Sequence, residues 1–179
     1  MKRVHLLLCL VVFALALAGC SGGSVERSPG TVLLAVSSFD GLPSTVSVAS
    51  GPYTITTVNL RNIVKDPSGT SSDLQAIQLR AYEVTFTRRD TGTRVPPPIV
   101  QSIFGLVPAG GTLTLNNLQI LTSDQLLNLP LADLGTTGVD RETGSRVVVL
   151  NVSMRFFGRT LSGTEIASDP VAFTIEAIP

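Results

Sequence analysis

Arg146-Val147-Val148-Val149-Leu150-Asn151-Val152-Ser153-Met154-Arg155-Phe156-Phe157-Gly158-Arg159 is the stretch whose pattern decides the fold. Val148, Leu150, Val152, Met154 and Phe156 fall at every second position, and Asn151, Ser153 and Arg155 stand between them. This is the period of a strand with one buried face and one wetter face. Residues 170 to 178 repeat it, with Val171, Phe173, Ile175 and Ala177 on one side and Thr174 and Glu176 opposite. The two segments are predicted to pair as a terminal hairpin. Leu161-Ser162-Gly163-Thr164 between them has the glycine and polar residues that a reversing connection needs.

Working outward, Val, Thr, Leu and Ile are punctuated by Gly, Pro, Asn and Asp, which predicts further strands at about 31–37, 45–49, 53–64, 76–89, 98–105 and 111–121. The inward phase shifts between Ile55 and Val58, between Ala81 and Tyr82, and at Asn116-Asn117, where Leu113 and Leu115 give way to Leu118 and Ile120. A bulge, or a strand that passes from one sheet to another, produces such a shift. One short helix is expected, because Thr122-Ser123-Asp124-Gln125 has the order of a capping box, Leu126 and Leu127 follow, and Pro130 closes the segment. The fold class read from these signals is all-β: a sandwich of about seven strands with one short connecting helix.

This pattern over residues 31 to 179 resembles immunoglobulin-like domains, with fibronectin-like and transthyretin-like sandwiches fitting nearly as well. The resemblance rests on strand order alone, since the cysteine pair and tryptophan of antibody-type domains are absent. Tyr82 to Asp90, with Pro96 following, is similar to a segment of small bacterial lipoproteins; that likeness implies no activity.

At the other end of the chain, Lys2 and Arg3 precede an apolar run from Val4 to Ala16 broken only by His5. That is the length of a signal peptide and too short for a membrane-spanning helix, which needs roughly 20 apolar residues. Leu17-Ala18-Gly19-Cys20 closes the run and resembles the lipobox of bacterial lipoproteins. The resemblance implies cleavage before Cys20, a diacylglycerol on its thiol and usually an acyl chain, such as palmitate, on the new amino terminus. Ser21, where aspartate favours inner-membrane retention, points to the outer membrane in a bacterium with two membranes, and otherwise to the extracytoplasmic face of the cell membrane. The expected organisation is a signal peptide over 1–19, a flexible tether over 20–30 and a β-sandwich domain over 31–179.

Removal of the leader takes Cys9 and His5 with it, and lipidation uses Cys20. No histidine, free thiol or tryptophan is then left, so histidine-based triads and histidine–cysteine zinc sites are excluded. Without Lys2 and Arg3, 11 basic residues face 13 acids, and no long run of one sign remains to attract nucleic acid. No cofactor is expected. The expected partners are the membrane, through the lipid, and an envelope protein or glycan; the oligomeric state is left open.

Several residues invite a binding role. Arg88, Arg89 and Arg94 are close enough across a hairpin to form a basic patch for an anionic glycan or headgroup, although Glu83 and Asp90 lie nearby. Asp90-Thr91-Gly92 has the triplet of aspartic proteases, but it occurs once, follows two arginines, and makes a good β-turn. Asp133, Asp140 and Glu142 offer carboxylates to calcium within a Gly-rich connection, at a spacing unlike an EF-hand. Phe157 must face away from Phe156 on the same strand, so its ring is the candidate platform for a sugar. The expected function is a non-enzymatic, lipid-anchored interaction or structural module, with a sugar- or calcium-binding accessory module using the 133–142 loop as the alternative.

Overall fold

The computed structural model describes residues 30–66, 68–69 and 71–179. In chain order its strands are β1 (Val32–Asp40), β2 (Thr45–Ser47), β3 (Tyr53–Val64), β4 (Ile77–Arg88), β5 (Ile99–Val107), β6 (Thr112–Leu121), β7 (Val148–Thr160), β8 (Glu165–Ala167) and β9 (Val171–Ile178). Two short helices, α1 (Ser123–Leu126) and α2 (Leu131–Thr137), lie between β6 and β7. The fold is all-β, in two sheets. One has the order β1-β3-β6; the other has the order β2-β9-β7-β4-β5, with β8 also paired to β7.

β7 is the spine. β4 runs antiparallel to it from Ile77 opposite Thr160 to Arg88 opposite Leu150. On its other side β9 pairs with Val148 to Met154 and β8 with Phe157 to Arg159. The alternation read from the sequence is realised: Val148, Leu150, Val152, Met154 and Phe156 are all buried. The expected hairpin forms in two steps, because Leu161 to Thr164 turns β7 into β8, and β9 takes over the ladder after Ser168. The buried Ser168 bridges that break: its N–H donates to Phe156 O, and its hydroxyl accepts from Phe156 N.

The core is shared by both sheets, since buried residues of β1, β3 and β6 cluster with those of β4, β7 and β9. Tyr82 ties the layers together. Its ring lies 5.9 Å from that of Phe156, and its hydroxyl donates to Gln119 O of β6 at 3.0 Å. Burial pushes the Tyr82 phenol pKa up, with the Gln119 bond opposing only in part.

Each expected phase shift has a structural counterpart. Ile55 pairs with Leu118 and Val58 with Leu115, so β3 and β6 switch phase at the same level, and Asn117 there adopts φ 55. Asparagine tolerates that left-handed conformation better than most residues. In β4 the register shifts between Leu79 and Ala81, one step before the predicted site, against both neighbours. Gly158 of β7 accommodates it: a Cβ there would lie 2.7 Å from Gln78 O and 2.9 Å from Ile77 Cγ2.

Two expectations need correction. The strand count is nine among the described residues, not about seven: the strand expected at 45–49 is present as the short β2, and the three-residue β8 was not expected. And Pro130 does not close the helical region: the capping box at Thr122 starts α1 as expected, but α2 follows Pro130 with Leu131 and Leu134 buried. Leu131 and Leu134 stand one helical turn apart, and Gly138 ends α2 at φ 73, its N–H donating to Leu134 O.

The close approach at Gly158 gives a direct check. Gly158→Ala presses a methyl against a carbonyl that cannot swing away and should cost about 1–3 kcal/mol in chemical denaturation. An unchanged midpoint would contradict the described contact between β4 and β7.

Candidate functional site

The strands give the body two ends. β1 begins beside the end of β3, and the β3–β4, β5–β6 and β7–β8 connections gather there; the β4–β5 connection, both helices and the start of β7 occupy the opposite end. Most charged candidates lie at this second end. Their geometry is that of a clamp.

Arg88, the last residue of β4, has a side chain only 3% exposed. Its Nε donates to Asp90 Oδ1 at 2.6 Å, its Nη2 to Asp90 Oδ2 at 2.8 Å and to Asp140 Oδ2 at 2.9 Å, and its Nη1 to Arg94 O at 3.3 Å. Asp90 also accepts from the backbone N–H groups of Gly92 and Val149, and Asp140 accepts from Glu142 N and Thr143 Oγ1. The carboxylate of Glu142 accepts from Thr93 N, Thr93 Oγ1 and Arg94 N. The β4–β5 loop is thus fastened to the 138–147 connection and to the start of β7.

The planar guanidinium suits this task, because it holds one carboxylate with two parallel bonds and reaches a second. Burial pushes the Asp90 and Asp140 carboxyls up, but hydrogen bonds from Arg88 and the neighbouring donors, with the Arg88 charge, outweigh it and hold both below the ordinary range. Glu142, which is exposed, is lowered by the Thr93 and Arg94 donors. Arg88 itself is disfavoured by burial and raised overall by the two aspartates.

The sequence-predicted residues therefore separate. Arg88 is spent inside the clamp, while Arg89 and Arg94 are exposed, Arg94 contributing its N–H and carbonyl to the clamp. Asp90-Thr91-Gly92 is a turn closed by the Asp90 side chain onto Gly92 N. Asp133 does not sit in a loop with Asp140 and Glu142; it lies buried on α2, 3.4 Å from Arg141 Nε. The oxygens of Asp140 and Glu142 already accept from protein donors, and among the described residues no group of three or more His, Cys, Asp or Glu is placed to hold a metal ion. Phe157 does face away from the core and is half-buried, with the Arg155 guanidinium 5.5 Å from its ring centre. Cys20 lies outside the described residues.

The strand expected at about 98–105 is present as β5, but its place at a sheet edge was not legible in the sequence. This nine-residue strand, Ile99 to Val107, ends its sheet and contains no charged residue. Val100, Phe104 and Leu106 on its outward face are 67%, 84% and 48% exposed. Natural sheets usually guard such an edge with charge, proline or brevity. β2, at the other edge of the same sheet, has a guard: Tyr53 Oη accepts from Ser47 N and donates to Ser47 O. The signal in the sequence was the absence of charge from Ile99 to Val107, legible only once β5 is known to be an edge.

No family model matches the chain, and neither a curated protein nor a solved structure matches it.

Arg88→Ala leaves two carboxylates without their cation and should destabilise by about 3–5 kcal/mol. Arg88→Lys should recover only part of this, since an ammonium cannot reproduce the fork. Because the folded-state pKa values of Asp90 and Asp140 are depressed, their contribution is full above the ordinary carboxylate range and is lost as pH falls through the lowered values. Melting temperature against pH should therefore drop on acidification in the wild type and drop less in Asp140→Asn; parallel curves would contradict the clamp.

Proposed function

We propose that the chain is a lipid-anchored, non-enzymatic β-sandwich lipoprotein of the bacterial envelope, held through Cys20 and acting as an interaction module. Its place is the outer membrane where the cell has two membranes, and the extracytoplasmic face of the cell membrane otherwise. The observation that carries the interaction reading is β5, an uncharged edge strand with Val100 and Phe104 turned outward. An edge of this kind can take a partner's strand, with backbone groups supplying affinity and the exposed side chains selectivity. The partner class is an envelope protein.

The finer architecture is read as immunoglobulin-like. What supports it is that β1 and β2 divide one edge between the two sheets, that β2 runs parallel to β9, and that the β3–β4 and β6–β7 connections cross from one sheet to the other. The non-enzymatic reading is supported by the lack of histidine and free thiol after residue 20 and by the use of the best-placed carboxylates within the fold.

Mass spectrometry of the membrane fraction is expected to find acyl mass on the peptide beginning at Cys20, and Cys20→Ala is expected to leave the membrane. An unmodified, freely extractable wild type would overturn the anchor. Crosslinking in intact cells should return a reproducible envelope protein that is lost in Val100→Lys/Phe104→Lys; the same partner with both lysines present would remove β5 from the account.

A further inference from the structure

We infer that the end of the body from which the tether leaves is a bilayer-docking face, with Leu74 and Leu161 as its apolar contacts. The inference rests on the reading of Cys20 as the lipid anchor. Gly30, the first described residue, sits at that end: a Cβ there would lie 3.5 Å from Thr164 Cγ2 and 3.6 Å from Ile166 Cδ1. The β7–β8 turn that contains Thr164 is fastened to the short helical turn before β4, because Leu161 N donates to Ala76 O and Ser162 N to Leu74 O, each at 3.0 Å. Leu74 and Leu161 are thus on adjoining segments beside the tether exit, and they are 58% and 49% exposed.

The length of chain from lipid to body argues for the bilayer as occupant. About ten residues separate Cys20 from Gly30, and a chain of that length reaches at most roughly 33–36 Å even fully extended. A body held so close meets the membrane repeatedly, and the face it offers first is the one around Gly30. That face is also firm. Asn62 gathers it, its Nδ2 donating to Gln75 O at 2.8 Å and its backbone N–H to Gly111 O at 3.0 Å.

Charge selects the kind of contact. Arg61, Lys65, Arg80 and Arg159 stand at this end against Asp66, Asp73 and Glu165, and Glu165 lies 3.2 Å from Arg80 and 3.6 Å from Arg159. An excess of one positive charge gives anionic headgroups only a weak advantage. Docking should therefore be mainly apolar: it takes place on neutral phosphatidylcholine and is insensitive to salt there. It leaves the clamp at the far end pointing away from the surface.

The chain has no tryptophan, so a single introduced indole reports one position. Full-length lipoprotein bearing Leu161→Trp, Leu74→Trp or, at the opposite end, Leu127→Trp is reconstituted into phosphatidylcholine vesicles containing brominated acyl chains. Wild-type-like circular dichroism confirms that these exposed substitutions fold. Quenching several-fold greater at 161 and 74 than at 127, unchanged by high salt, is expected. Equal quenching at all three, or greater quenching at 127, overturns the orientation. Acyl mass on Cys20 with 161 and 74 unquenched overturns the docking while the anchor stands, and absence of acyl mass removes both.

Discussion

Everything else in the structure leans on the burial of one face of β7 while its backbone is paired on both sides. A strand with β4 along one edge and β8 and β9 along the other spends its peptide groups in ladders, so its side chains decide which way it faces. Five successive inward positions are apolar and buried, each large one contributing about 1.5–3 kcal/mol on transfer from water. A slip of one residue would exchange Leu150 and Val152 for Asn151 and Ser153 in the core. Register is therefore fixed here first, and β4 takes its position from it.

β4 then carries that order to two places. At its middle, Tyr82 reaches across the core to Gln119, which binds the second sheet to the first. At its end, Arg88 is buried among carboxylates that arrive from two loops. A buried ion pair is weak evidence of net stabilisation, because desolvation offsets much of the attraction. What the clamp supplies is definition: the loops between β4 and β5 and between α2 and β7 have one arrangement in which every carboxylate oxygen is used.

Strands were legible in the sequence because their signal is local. Period-two alternation marked β7 and β9, and the doubled asparagine at 116–117 marked the phase change that Asn117 realises with a positive φ. The capping box at Thr122 was equally local. Pairing was less legible, since nothing in Ile99 to Val107 says that the strand is an edge. The site residues were the least legible of all. Arg88, Arg89 and Arg94 look alike in sequence, yet a long-range partner at Asp140, and an Asp90 held in place by Val149 N, bury the first and leave the other two exposed. Asp133 was read as a loop ligand because the helical signal of Leu131 and Leu134 is only one turn long.

One sheet is asymmetric: β7 is paired on both sides, and β5 leaves one edge open. Hydrogen–deuterium exchange on the full-length protein, without partners, measures this strand by strand. The amides of Leu150 to Phe156 are expected to exchange only with global unfolding, while about every second amide from Ile99 to Val107 exchanges rapidly. Uniform protection of β5 at the level of β7 would contradict it.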